Sequence, residues 1–299
     1  MYFDEELKNR IERTEQIICG YLPKEEGYGN EVIEAMNYSF LAGGKRIRPL
    51  LMIETHILCG GNGQLVSPFM AAIEMIHTYS LIHDDLPEMD NDELRRGKPT
   101  TWKKYGPATA VLAGDGLLNY SMETAGCAFE LAQTPEEYEL ISGALRILYH
   151  RSGIYGMIGG QCADIAAEEM SEIPEEMLDY IHVNKTAALI RASMSIGAVL
   201  AGVRPKIVSD IDRAAKCIGL AFQIQDDILD VTSNDATLGK PVGSDAKNNK
   251  STYVSIHGLE ESKEAVNKLS NEALKIIRGM DSKNEFLEEL IEWMINRDR

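Results

Sequence analysis

The chain has 299 residues with 47 acidic and 30 basic side chains, so its formal net charge is −17 and its sequence pI is about 4.8. This charge argues against general nucleic-acid binding, because contacts with phosphate need a basic surface. The charged N-terminus, the lack of a long uninterrupted apolar segment and five cysteines without a CxxC pair predict a cytoplasmic protein with buried thiols and no membrane insertion.

Apolar residues recur at helical spacing along nearly the whole chain, whereas the alternation typical of strands is essentially absent. Thr134, followed by Pro135 and two glutamates, is typical of a helix start, and Pro205 begins a helix that can run to about Val231. No Ser- or Pro-rich linker divides the chain. The sequence therefore predicts a single all-α domain over residues 1–299, a bundle of about ten or more helices.

Two polar segments, residues 86–100 and 232–250, do not fit a helical pattern. Each contains glycine and proline and follows an acidic cluster on an apolar stretch. Segments of this length without regular structure are usually functional loops or disordered. We therefore expect the chemistry of the protein near these two places.

The first acidic cluster ends an apolar helix. His77, Leu81 and Asp84 recur at helical spacing, so the carboxylates from Asp84 onward fall at the helix C-terminus. That end carries the negative pole of the helix dipole, and carboxylates there are unfavourable unless a cation compensates them. The pattern indicates a bound cation.

The second acidic cluster lies in the sequence QIQDDILD, residues 223–230. At helical spacing Asp226, Asp227 and Asp230 share one face, with Gln223 one turn earlier. The flanking residues are apolar, so this face is expected to line a cavity. Two such clusters favour a hard divalent ion, and Mg²⁺ typically takes one or two carboxylates together with substrate phosphates.

Basic residues accompany the acidic ones. Lys45, Arg46 and Arg48 follow a Gly-Gly break, where backbone amides and side chains can surround an anion. Arg95 and Arg96 follow the first acidic loop, and arginine can grip a diphosphate through paired hydrogen bonds. The sequence has no GxxxxGK[ST] motif, so the pattern favours a diphosphate substrate over a P-loop nucleotide site.

The motifs GGKRIRP, IHTYSLIHDDLPEMDNDELRRGKPT, GGQ, NKTAALI, QIQDDILD and GSDAKNNKSTYV, in this order, resemble those of the trans-prenyltransferases. The resemblance runs from about residue 28 to the C-terminal WMINRDR and is nearest to the bacterial farnesyl diphosphate synthase type. It implies an all-α isoprenoid synthase fold around a deep central cavity, usually as a homodimer. It also implies Mg²⁺-assisted condensation of isopentenyl diphosphate with an allylic diphosphate, with three ions when substrate is bound.

The resemblance assigns a role to each residue that matches a family motif. The metal ligands would be Asp84, Asp85, Asp90, Asp226, Asp227 and Asp230. Isopentenyl diphosphate would be bound by Lys45, Arg48, His77 and Arg96, and the allylic diphosphate by Arg95, Lys185, Lys240 and Lys250. Thr186 and Gln223 would stabilise the allylic cation through their oxygen dipoles. Glu93 and Trp102 depart from the family pattern, and neither is among these ligands.

Product length in such enzymes depends on the residues that precede the first aspartate. Tyr79 and Ser80 lie five and four positions before Asp84. A bulky ring at position 79 resembles the synthases of farnesyl diphosphate (C15), whereas many geranylgeranyl (C20) synthases have a smaller residue there. We therefore favour C15 and keep C20 as the alternative.

Three other classes fit the sequence less well. A non-catalytic subunit of a heteromeric synthase tends to lose one acidic motif, and both are present here. A terpene cyclase would not need the second diphosphate pocket of Lys45, Arg48 and His77. A metal-storage bundle would need Glu-x-x-His pairs across helices, and none is apparent.

Overall fold

The computed structural model describes residues 3–170, 172–232 and 252–296, and these residues are mostly helical. The first helices are α1 Phe3–Cys19, α2 Asn30–Phe40, α3 Ile47–Leu58, α4 Val66–Asp84, α5 Thr101–Tyr105, α6 Pro107–Gly126, α7 Ala128–Leu131 and α8 Pro135–Ser152. They are followed by α9 Met157–Glu168, α10 Glu175–Ile181, α11 Ala187–Leu200, α12 Pro205–Thr232, α13 Tyr253–His257, α14 Leu259–Arg278 and α15 Glu285–Ile295. The predicted all-α fold is confirmed, and no described helix is long and apolar enough to cross a membrane.

The helix starts expected from the sequence are present. Thr134 Oγ1 accepts a hydrogen bond from Glu137 N at 3.2 Å, while the Glu137 carboxylate accepts one from Thr134 N at 3.2 Å. This reciprocal cap satisfies two backbone donors at the start of α8. Helix α12 likewise begins at Pro205 and runs to Thr232.

The segment 86–100 contains a short hairpin that the sequence pattern did not predict. Strands β1 Leu94–Arg95 and β2 Lys98–Pro99 pair antiparallel, with Arg95 opposite Lys98. Arg96 and Gly97 form the turn with φ values of 53° and 73°. Two-residue turns of this kind need positive φ at both central positions, which glycine adopts without strain. The two-residue strands are too short to carry a detectable alternation.

The chain groups into two compact units, Met1–Ile53 with Gly63–Ser142 and Glu54–Asn62 with Gly143–Arg299. In the first unit, α4 is buried on all sides from Pro68 to Ile76 and packs along α6. In the second, α11 is similarly buried and packs along α12. These two buried helices fix the positions of the polar residues at their ends. The prediction of a single domain over 1–299 stays a prediction.

The cysteines are less buried than expected. All five are free thiols, and of these Cys217 is buried whereas Cys162 is exposed and the rest are intermediate. The expectation of buried thiols is therefore correct for Cys217 alone among them, because position on an apolar helix does not by itself decide which face a side chain occupies.

Candidate active site

The C-terminal end of α4 carries the first acidic cluster. Asp84 is the last residue of the helix, and the chain then turns back so that Asp90 N donates to the backbone oxygen of Asp84 at 2.8 Å. Asn91, with φ 53°, closes the same turn by donating to Leu86 O at 3.0 Å. The turn thus returns the backbone of Asp90 to that of Asp84 across six positions of sequence.

Asp85, the second carboxylate of this cluster, is buried and paired with Arg95. Arg95 Nε lies 2.8 Å from Oδ1 and 2.9 Å from Oδ2 of Asp85. Burial raises the pKa of the Asp85 carboxyl, and the hydrogen bonds from Arg95 oppose that rise. Arg95 follows the acidic cluster in the sequence and neutralises Asp85, the most buried carboxylate of that cluster.

Arg48, His77 and Arg96 of the first unit are close enough for their charges to interact, and we call this group of side chains the cation pocket. Burial lowers the pKa of His77 well below its ordinary value, and the charges of Arg48 and Arg96 lower it further. The Nε of Arg48 is buried and has no hydrogen-bond partner among the described residues. An unsatisfied buried donor of this kind is unfavourable, so the pocket is suited to an anion.

Gly44 explains why the pocket follows a Gly-Gly sequence. The Arg96 guanidinium lies against Gly44, whose φ is 146°, and a Cβ at that position would be 2.8 Å from Arg96 Nη1. Lys45, the neighbouring residue, is exposed at the surface. The glycine therefore admits Arg96 next to the loop that carries Lys45.

Tyr79 and Ser80 lie on α4 between the cation pocket and the acidic end. Tyr79 is 5% exposed and meets the ring of His83 edge to face, with 5.8 Å between ring centroids. Burial raises the pKa of the Tyr79 hydroxyl to about 12. Ser80 Oγ donates to His77 O at 2.9 Å, so its hydroxyl is engaged by its own helix.

His83 is a residue of this site that sequence reasoning missed. Its Nε2 lies 3.2 Å from Val111 O, and a Cβ on Gly114 of α6 would come within 2.1 Å of the same nitrogen. His83 thus packs the last turn of α4 against α6. The sequence shows a histidine directly before two aspartates, which could have drawn attention to His83. Its contact with Gly114 is visible only in the folded structure.

The second unit holds a pocket lined by residues of the NKTAALI and QIQDDILD motifs. The pocket is lined by four apolar residues and by the polar residues Asp164, Glu168, His182, Lys185, Thr186, Gln223, Asp227 and Thr252. Lys185 and Thr186 belong to a five-residue π-helical segment, His182–Thr186, that leads into α11. Such segments often occur at functional sites because they change the direction of side chains along a helix.

Gly160 permits this local geometry. A Cβ at Gly160 would lie 2.1 Å from Lys185 N and 2.6 Å from Asn184 C, so α9 approaches the π-helical backbone at a distance that only glycine allows. This contact accounts for a glycine of the GGQ motif. The sequence predicted the motif's importance by resemblance alone and gave no indication of the π-helix.

A chain of hydrogen bonds orders the polar side of the pocket. Thr186 Oγ1 donates to Gln223 Oε1 at 2.7 Å, and Gln223 Nε2 donates to Asp227 Oδ1 at 3.0 Å. The other Asp227 oxygen accepts from Tyr253 N at 2.8 Å. Because the Thr186 proton is directed to Gln223, the oxygen keeps its lone pairs for a ligand. Asp226 and Asp230, on the same helix, are half-buried.

Asp164 and His182 are two residues of this pocket that sequence reasoning missed. Asp164 forms an ion pair with Lys185. His182 Nε2 lies 3.9 Å from Asp227 Oδ2. Burial lowers the pKa of His182 to about 4, against the opposing charges of Asp179 and Asp164. No spacing rule links these positions, since the ion pair joins two different elements.

Several predicted ligands remain predictions. Lys240 and Lys250 lie outside the described residues. Among the residues that are described, no three His, Cys, Asp or Glu side chains gather closely enough to form a metal cage by themselves. The acidic clusters nevertheless supply oxygen donors alone, the chemistry that Mg²⁺ prefers.

Comparison with known proteins identifies the family. The polyprenyl synthetase family matches residues 30–294. A chloroplastic geranylgeranyl pyrophosphate synthase of Capsicum annuum is 48% identical over 84% of this chain and 67% of its own. A farnesyl diphosphate synthase of Geobacillus stearothermophilus is 41% identical over 98% of this chain and 97% of its own. The crystal structure of a geranyltransferase from Helicobacter pylori, complexed with magnesium and isoprenyl diphosphate, aligns with a TM-score of 0.81 at 33% identity, covering 99% of this chain and 97% of that one.

The chain therefore belongs to the polyprenyl synthetase family, and the resemblance seen in its motifs is confirmed. Within that family it is a trans-prenyltransferase, an enzyme with the helical fold of the isoprenyl synthases.

Proposed function

We propose that the protein is a farnesyl diphosphate synthase, which joins isopentenyl diphosphate head to tail first to dimethylallyl and then to geranyl diphosphate. In each cycle the allylic C–O bond breaks with its electrons on the departing diphosphate. The double bond of isopentenyl diphosphate then forms a C–C bond to the allylic cation. Loss of a proton, to the released diphosphate, completes the product.

The observation that carries this proposal is the make-up of helix α4. The helix bears the cation pocket at His77 and an acidic end at Asp84. The seven positions between them correspond to about 10 Å of helix rise. One rigid, buried helix can therefore serve two diphosphates, one bound by cations alone and one bound through metal ions, as a condensation of two diphosphates requires.

Isopentenyl diphosphate would occupy the cation pocket, with Lys45 as a further ligand. The buried Nε of Arg48, without a partner among the described residues, would gain one from a phosphate oxygen. A neutral His77 would still donate one hydrogen bond. The pocket's charge therefore suits this substrate without a metal ion.

By family resemblance, the ligands of the allylic diphosphate would be Arg95, Lys185, Lys240 and Lys250. Arg95 and Lys185 are already paired with Asp85 and Asp164. Each cation is therefore held in a defined orientation by a carboxylate and can share its remaining donors with a phosphate.

Thr186 and Gln223 would stabilise the allylic cation. The hydrogen bond from Thr186 to Gln223 leaves the lone pairs of Thr186 Oγ1 as the negative end of a fixed dipole. A dipole oriented in advance stabilises developing charge without reorganisation in the transition state.

Mg²⁺ is the cofactor that fits the acidic clusters. All predicted ligands are aspartates, and Mg²⁺ commonly takes one or two carboxylates while substrate phosphates and water complete its shell. We assign its ligands to Asp84, Asp85 and Asp90 in one cluster and to Asp226, Asp227 and Asp230 in the other. Bound Mg²⁺ would stabilise the negative charge that develops on the leaving diphosphate. The number of three ions stays a prediction.

Tyr79 supports C15 as the product, because its buried ring occupies α4 just before Asp84. The second candidate is a C20 product, which is favoured by the 48% identity to a geranylgeranyl pyrophosphate synthase. The two functions share every step of the chemistry and differ in how far the growing chain can extend.

We also propose a cytosolic homodimer. Val111 and Leu112 of α6 are 40% and 55% exposed, and such neighbouring apolar side chains support a protein contact on this face. The five free thiols agree with a reducing compartment. Light scattering coupled to size exclusion should give twice the mass of 33.2 kDa for the wild type, and the monomer mass after Leu112→Glu.

The experiment that tests the function is product analysis with purified protein, Mg²⁺, isopentenyl diphosphate and dimethylallyl diphosphate. Mainly C15 is expected, with no product when the metal is chelated. If the main product is C20, the proposed mechanism stands and the protein is a geranylgeranyl diphosphate synthase. Binding of isopentenyl diphosphate without turnover would instead identify a non-catalytic subunit.

A further inference from the structure

Arg46 lies in the same basic motif as Lys45 and Arg48 but faces the protein interior. It is 3% exposed, although Lys45 beside it is exposed. Its φ of 48° is unusual for a residue with a side chain. The backbone reversal at this position turns the middle cation of the motif inward, so a diphosphate in the pocket would not be its partner.

All three nitrogens of the Arg46 guanidinium are engaged. Nη1 donates to Glu74 Oε1 at 2.8 Å, Nη2 to Phe40 O at 2.7 Å, and Nε to Glu15 Oε1 at 3.2 Å. The guanidinium carbon also lies 5.0 Å from the centroid of the Phe40 ring. One side chain thus ties together α1, α2 and α4.

Arg46 also directly precedes helix α3, which begins at Ile47. The backbone oxygen of Arg46 accepts from Leu50 N at 3.1 Å, and Arg48 lies in the first turn of this helix. The anchor on α4, α1 and α2 therefore determines where the first turn of α3 stands. Without the hydrogen bonds of Arg46, the first turn of α3 would no longer be fixed in place, and Arg48 would shift with it.

Glu74 connects this anchor to the cation pocket. It is 3% exposed and lies on α4 one turn before His77. Its charge acts on Arg48 and Arg96 as well as on Arg46, opposing the cost of burying these cations. A buried carboxylate with one direct partner and two nearby cations can hold the pocket together before an anion arrives.

We propose that Arg46 and Glu74 are positioning residues for the cation pocket: their buried pair fixes the start of α3 against α4 and so presets the pocket for a diphosphate. The proposal rests on the function proposed above, because it takes this pocket as the site of isopentenyl diphosphate. Neither residue touches the substrate. Their effect is on its affinity.

The test compares Arg46→Met, Glu74→Leu and the double variant with the wild type. KM is measured separately for isopentenyl and geranyl diphosphate, and binding of isopentenyl diphosphate is measured by calorimetry. Arg46→Met should raise KM and Kd for isopentenyl diphosphate by on the order of 10-fold to 100-fold, the effect of a displaced binding group. KM for geranyl diphosphate should stay at the wild-type value. The double variant should lose no more affinity than the weaker-binding single variant, because the two residues act as a pair.

Arg151→Met is the matched control. Arg151 is a partly buried arginine of the second unit, paired with Asp212 at 3.1 Å and outside both sites. Its removal should lower the melting temperature and leave both KM values unchanged. Equal rises of both KM values in Arg46→Met, or a wild-type Kd for isopentenyl diphosphate, would refute the positioning role.

Two more conservative variants test the proposal if Arg46→Met or Glu74→Leu does not fold. Arg46→Lys keeps the charge with fewer hydrogen bonds, and Glu74→Gln keeps an acceptor oxygen, so both should weaken binding less but in the same direction. Unchanged Kd in both would also count against the proposal. If the wild type forms no prenyl product, the proposed function fails, while binding of inorganic pyrophosphate to the wild type and Arg46→Met still tests the positioning role.

Discussion

Tyr79 is the residue whose size bears most directly on product length. Tyr79→Ala removes a buried ring next to the reacting end of α4, so chains longer than C15 should become the main products. The cavity should also cost about 3–5 kcal/mol of folding stability, as for other large aromatic truncations. Product chromatography and a urea titration measure the two effects.

Tyr79→Phe is the control for this change, since it keeps the ring and removes the hydroxyl. It should retain the wild-type product length. The same C15 product from the Ala variant would show that another residue limits the chain.

Thr186 allows the cation-stabilising dipole to be tested with little change of shape. Thr186→Val removes the oxygen and the hydrogen bond to Gln223 Oε1. We expect kcat to fall by on the order of 10²-fold, as for loss of one preorganised electrostatic group, with both KM values nearly unchanged. Single-turnover kinetics with geranyl diphosphate measure the chemical step directly.

Thr186→Ser keeps the oxygen and should restore most of this rate. If Val and Ser variants react equally fast, the hydroxyl has no electrostatic role and Thr186 serves packing alone.

At the scale of elements, the close approach of α9 to the π-helical segment can be tested at one glycine. In Gly160→Ala the new methyl would meet Lys185 N at 2.1 Å, and backbone cannot move aside as a flexible side chain can. The variant should lose about 1–3 kcal/mol of stability, the usual cost of overpacking. It should also lose affinity for the allylic substrate, because Lys185 and Thr186 move with the segment.

Gly126→Ala is the matched control, because a methyl there meets nothing within 4 Å. This substitution in α6 should leave activity unchanged and stabilise the fold by about 0.4–1 kcal/mol through the unfolded state. Wild-type stability and kinetics in Gly160→Ala would contradict the role given to the close approach.

The elements also show which features the sequence could predict. The cap at Thr134 and the helix start at Pro205 depend on neighbouring residues, and both were predicted correctly. The pairing of Asp85 with Arg95 and of Lys185 with Asp164 depends on how separate elements pack. No periodicity encodes these contacts. The inward turn of Arg46 was missed for the same reason, since a positive φ at an arginine has no compositional signal.

For the whole molecule, the histidines predict a loss of stability in mild acid. His56 of α3 is 2% exposed, and its Nδ1 lies 3.1 Å from Gly197 O. Burial lowers its pKa, as it does more strongly for His77, where nearby arginines add to the effect. The unfolded chain titrates its histidines near pH 6.5, so below this pH it takes up protons that the folded protein does not. Stability should therefore be greatest above about pH 6.5 and fall as the pH drops below it.

Asp85 and the overall net charge have the opposite effect on stability in acid, so the measurement needs controls that separate them from the histidines. The pKa of Asp85 is raised, which favours the folded state only at lower pH, in the range where carboxyl groups titrate. The net charge of −17 also becomes smaller as the pH falls, which relieves repulsion within the fold. Urea midpoints at pH 7.5 and 5.5 should therefore be compared between the wild type and His56→Gln, which have the same formal charge at neutral pH. The variant should lose less stability between the two pH values, whereas His150→Gln, at an exposed position, should follow the wild type. Parallel behaviour of all three proteins would mean that His56 does not contribute to the acid sensitivity.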